Sequence, residues 1–121
     1  MSINDTYLAV FLGGKSSARM QAWNALSEPE KRAKEQEGIA AWKAWAENHK
    51  AMIASMGGPL GKTKKVSERG TEDVSNAMSA FVIVHANSHE AAAKLFANHP
   101  HFTIFPGEGV EVMPVLPIPG T

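Results

Sequence analysis

The side chains with the most capacity for chemistry are five histidines, His49, His85, His89, His99 and His101, in a chain that has no cysteine. Without thiols there is no disulfide framework, no thiolate nucleophile and no Cys-based zinc or iron–sulfur site. Imidazole is then the group that exchanges a proton near neutral pH. His85 ends an apolar strand, His89 falls in the first turn of the helix that follows, and His99 and His101 lie just past its far end. A helix of about eleven residues is roughly 16 Å long, so its two ends cannot share one site within a subunit. His99 and His101 are therefore the candidate catalytic residues, as general acid or base, because they occupy a loop beside an expected cleft.

The same pair, with Glu108 or Glu111 from the last strand, has the donor chemistry of a zinc or iron site. Two histidines in a proline-bent loop support that weakly, since helix-end histidines also bond carbonyls and the helix dipole. The expectation is no metal and no cofactor. Gly13-Gly14-Lys15-Ser16 resembles the end of a phosphate loop, but the full motif requires a further glycine where Ala9 stands. It reads as a turn with a solvated lysine. No Ser-His-Asp order or paired-carboxylate spacing can be assigned.

The elements that must position these groups begin with Ala80 to Val84, a β-branched and aromatic run apolar on both faces, hence a strand covered on both sides. Asn87 or Ser88 caps the following helix, with Glu90, Ala91, Ala92, Leu95 and Phe96 at helical spacing and Asn98 and Pro100 as the stop. Thr6 to Gly13 is a second strand of the buried kind. Ser17 to Leu26 is a short helix, and Ser27-Glu28-Pro29-Glu30 starts a long one that runs to about Lys50.

Ile39, Trp42, Trp45, Ala46 and His49 make one stripe on the long helix, while Lys31, Arg32, Lys34, Glu35 and Lys43 mostly occupy the rest. The two tryptophans either cover the sheet as core or wall a pocket with His49 at its mouth. Ala51 to Ser55 is a third strand with a glycine-rich exit, where Gly57 and Gly58 adopt unusual angles or admit another backbone. Lys62 to Ser67 suits a lysine-protected edge strand, Glu68 to Asn76 a polar loop, and Val110 to Val115 the last strand.

At 121 residues this is a single domain, 1–121. Twelve basic and twelve acidic residues give no net charge, which argues against a nucleic-acid or anionic-membrane binder. The opening residues lack the positive start of a signal peptide, and no run approaches the roughly 20 apolar residues of a membrane span. The expected location is cytoplasmic.

Right-handed crossovers turn this order into a ferredoxin-like βαββαβ fold of the α+β class, with both helices on one face of an antiparallel sheet. The other face carries Val, Ile, Phe and Leu, so the chain is expected to form a homodimer back to back.

Four segments carry a family resemblance: YLAVFLGG, LSEPEKRAKEQEGIAAWKAWAENHKAMIASMGGPL, FVIVHANSHEAAAKLFANHP and GVEVMPV. Together they resemble the YCII-related domain family, including its DGPF-motif branch. The resemblance implies the ferredoxin-like fold and a dimeric α/β barrel. The DGPF motif itself is absent, with Asp73-Val74-Ser75-Asn76-Ala77 in that neighbourhood. Some members carry a His and Asp pair with the His after the first strand; Gly13-Gly14-Lys15 stands there, so that pair is not carried over.

Two functions fit these residues. One is a small-molecule-binding protein or cofactor-independent enzyme, its pocket floored by Phe11 or Phe81, walled by Trp42 and Trp45, and served by His49, His99 or His101. The other is a non-catalytic dimerisation or ligand-sensing module.

Overall fold

The computed structural model describes residues 5–120; residues 1–4 and 121, the outer ends of the single-domain reading, lie outside the described residues. The chain runs β1 (Asp5–Leu12), α1 (Ala18–Asn24), α2 (Glu28–Asn48), a 3-10 turn (Lys50–Met52) and β2 (Ile53–Pro59). It continues with β3 (Thr63–Ser67), β4 (Gly70–Val74), β5 (Met78–Ala86), α3 (His89–Lys94), α4 (Pro100–Thr103) and β6 (Gly109–Pro114). β2, β5, β1 and β6 form one antiparallel sheet in that order. This is the strand order that two βαβ crossovers produce, so the α+β antiparallel reading holds.

The caps expected from the sequence are present. Ser27 Oγ accepts from the Glu30 amide at 3.3 Å and Glu30 Oε1 accepts from the Ser27 amide at 2.9 Å, a complete capping box at the start of α2. Ser88, not Asn87, caps α3, accepting from the Ala91 amide at 3.0 Å. Helix α3 is shorter than its apolar spacing implies. The segment then passes through turns, and Asn98 takes φ 57°, a left-handed angle that ends the helical run before Pro100.

One face of the sheet meets the helices. Tyr7, Ala9 and Phe11 of β1, with Val82, Val84 and Ala86 of β5, pack there against Trp45, Ala92 and Phe96. By alternation the far face presents Leu8, Val10, Leu12, Phe81 and Ile83, of which only Val10 is buried.

Two assignments need correction. Lys62 to Ser67 is no edge of the main sheet, and Glu68 to Asn76 is only partly a loop. β3 and β4 pair with each other as a separate hairpin around Glu68-Arg69, with Gly70 at φ 108°. Opposite charges face each other across it: Lys64 faces Asp73, with an ion pair at 2.6 Å, and Lys65 faces Glu72. The third strand also starts later and runs further than its apolar residues indicate, because β2 continues through Gly57-Gly58 across two register shifts. Gly57 has φ 58°, and a Cβ there would collide with the Phe81 carbonyl; Gly58 has neither feature.

Candidate functional site: an aromatic cavity beside His101

Between α2 and the β2–β5 side of the sheet lies a cavity of about 560 Å³. Its walls follow from the stripe on α2, since residues three and four apart share a helix face. Ile39, Trp42 and Trp45 come from α2, Met56 to Pro59 from β2 and Ser79 to Val82 from β5, and Phe11, Phe105 and His101 complete the lining. Phe11 and Trp42 lie with ring centroids 5.1 Å apart at 31°. Trp45 is held by its indole N–H, which donates to the Leu95 carbonyl at 2.7 Å. The lining is apolar except for Lys43, Ser79 and His101.

His101 sits in α4, a single turn made possible by Pro100 near its start. Its Nε2 lies 2.8 Å from the carbonyl oxygen of Leu12. A carbonyl only accepts, so Nε2 carries the ring proton and Nδ1 keeps its lone pair. The Leu12 oxygen also accepts from the Glu108 amide at 2.8 Å, which fills both of its lone pairs. Gly107 lies flat against the imidazole, and any side chain there would collide with the ring. Burial pushes the His101 pKa down, opposed by the Leu12 bond, which favours the protonated ring. The ring is neutral at neutral pH, keeps one unprotonated nitrogen and borders the apolar cavity.

His99 has a different environment. It is fully buried and does not line the cavity. Its Nδ1 accepts the His101 amide at 3.0 Å, so His99 serves as N-cap of α4. Its Nε2 has no hydrogen-bond partner among the described residues. The ring stands edge-on to Trp42 at 4.5 Å and to Trp45 at 4.7 Å. Burial first, then the nearby His101 and His49, push its pKa down to about 4.

The structure thus brings Phe11, Trp42, Trp45, Phe81 and His101 around one space and leaves His49 and His99 outside its lining. Phe81 borders the cavity although its register opposite Val10 belongs to the far face of the sheet. His49 is the C-cap of α2, with Nδ1 2.8 Å from the Trp45 carbonyl. The metal set weighed from the sequence does not assemble among the described residues. His101 Nε2 is engaged by Leu12, Glu108 Oε1 accepts from the Gly14 amide at 3.3 Å, and Glu111 lies on the far face opposite Val10.

Sequence reasoning missed Phe105, Lys43 and Ser79. Phe105 packs where Gly38 leaves no side chain on α2, so a glycine inside a helix was the available signal. Lys43, placed with the solvated residues, lines the cavity four residues after Ile39.

Fold and site together define an α+β protein of ferredoxin-like class with an aromatic-walled cavity on the helical face of its sheet. No family model matches the chain, and no curated protein matches it. Among solved structures it is similar to 5-chloro-2-hydroxyhydroquinone dehydrochlorinase (TftG) from Burkholderia phenoliruptrix AC1100, in complex with 2,5-dihydroxybenzoquinone. The TM-score is 0.51 at 19% identity, covering 89% of this chain and 90% of that one. At that identity the likeness shows the fold alone, and no family model stands behind the YCII-related resemblance read from the sequence. No helix among the described residues is long and apolar enough to cross a membrane.

Proposed function

We propose that the protein binds a flat, largely apolar small molecule in the cavity and takes a proton from it with His101. The observation that carries this reading is the ring's fixed tautomer: Nε2 is committed to Leu12, which leaves Nδ1 as the acceptor of a ring that borders the cavity. The cavity volume lies within the ordinary range for small-molecule sites, about 300–1,000 Å³. A hydroxyl or acidic C–H placed at Nδ1 would pass its proton to the ring, leaving a ligand anion and an imidazolium whose Nε2–H stays on the Leu12 oxygen. The similar fold of a dehydrochlorinase with a bound ring compound supports the ligand class.

Titration calorimetry with 2,5-dihydroxybenzoquinone tests the reading. Saturable binding to the wild type that is lost in His101→Phe, a variant of similar ring volume, is the expected result. Equal binding by both proteins would remove His101 from the site. Ligand sensing without turnover is the second reading, favoured by one observation: His101 is backed by a carbonyl rather than a carboxylate, so no described residue bonded to it takes the proton onward.

The far face of the sheet supports a homodimer. Leu8, Leu12 and Ile83 remain partly exposed there, in strands whose other face is already core. A second copy would bury them back to back.

A further inference from the structure

We infer that the cavity selects an aromatic anion, a ring with a hydroxyl at one end and a carboxylate or similar acidic group at the other, and that Lys43 determines this selectivity. The inference rests on the small-molecule reading above and names its substrate class. The polar groups of the lining divide by chemistry. His101 offers a lone pair at Nδ1, and Ser79 spends its hydroxyl proton on the Phe11 carbonyl at 3.0 Å, so it too has acceptors left. These groups call for a ligand that donates, such as a hydroxyl.

Lys43 is the charged residue of the lining, and no carboxylate borders the cavity. It also lines the adjoining groove formed with Ala46, Glu47, Lys50 and Ile53, which marks its position at the cavity's margin. In that groove Glu47 is already paired with Lys50 at 3.1 Å. Lys43 is exposed and makes no ion pair among the described residues. A cationic ligand would meet like charge with no counter-ion, and a neutral one would leave the ammonium unused. An anion gains an attraction strengthened by the apolar wall beside it. The lysine stem is long enough to rest on apolar surface while its head reaches toward the ligand.

The test compares 4-hydroxybenzoate with its neutral counterpart 4-hydroxybenzamide, by titration calorimetry on the full chain and on Lys43→Met and His101→Phe. The wild type should bind the carboxylate about five-fold or more tightly than the amide, the scale of one partly exposed ion pair. That preference should vanish in Lys43→Met and should weaken toward about 0.5 M salt. Equal affinity for both probes in the wild type, or a preference that survives in Lys43→Met, overturns the inference alone, provided binding still falls in His101→Phe. If neither probe binds, this inference fails, and the small-molecule reading is decided separately by 2,5-dihydroxybenzoquinone.

Discussion

The backbone amide of His101 donates to Nδ1 of His99 at 3.0 Å, and this bond decides where the proton sits on a fully buried ring. Nδ1 accepts, so Nε2 holds the proton against aromatic walls that offer it no conventional acceptor. A second proton would place a charge in that environment, which is why the pKa falls to about 4.

Stability should therefore decline as the solution is acidified. Above pH 6.5 His99 is neutral folded and unfolded. Between 6.5 and about 4 the unfolded chain binds a proton that the folded protein refuses, so stability drops with falling pH. Below about 4 both states are protonated and this contribution stops changing. The full difference is about 3 kcal/mol. The lowered His101 pKa acts in the same direction. Urea denaturation at several pH values measures the effect. His99→Asn should flatten the profile while keeping the α4 cap, because Asn is a good N-cap; a profile unchanged by that substitution would remove His99 as its source.

Gly107→Ala should unseat His101. The added methyl meets an imidazole that is in edge-on contact with Phe11 at 5.1 Å and bonded to Leu12, so the ring has no easy retreat. The expected loss is about 1–3 kcal/mol by overpacking, with loss of ligand affinity. Denaturation and calorimetry on the same preparation would show both, and unaltered binding would contradict the account.

At Gly57 the obstacle is backbone. The φ of 58° and the Phe81 carbonyl both oppose a side chain. Gly57→Ala should lower the melting temperature well beyond Gly58→Ala, which faces open space at an ordinary angle; equal effects would refute the difference.

The proposed dimer is open to direct measurement. Native mass spectrometry should give a dimer for the wild type and a monomer of unchanged circular dichroism for Ile83→Lys, which puts a charge on the far face. A monomeric wild type would leave the apolar far face without this explanation.

Much of this was legible in the sequence because periodicity reports faces. The spacing of Trp42 and Trp45 places both on one face of α2, but does not say whether they cover the sheet or wall a pocket. His99 and His101 could not be told apart that way: what separates them is Pro100, which makes His99 a cap and turns His101 toward Leu12, a long-range contact that local spacing does not encode. Lys43 sits on the flank of its stripe, where a residue's neighbour depends on how β2 approaches. The β3–β4 hairpin was hidden because its signal is pairwise charge, read only once Lys64 and Asp73 are set opposite each other.

The central position of β1 has a consequence for the order of assembly. It precedes both of its ladder partners, Met78–Ala86 and Gly109–Pro114, which lie far along the chain. The β3–β4 hairpin closes over a few residues and can form early, but Tyr7 cannot meet Pro114 until that residue has left the ribosome. Through most of synthesis the apolar run from Tyr7 to Leu12 has no ladder. Long-range pairing of this kind slows folding and prolongs exposure to aggregation.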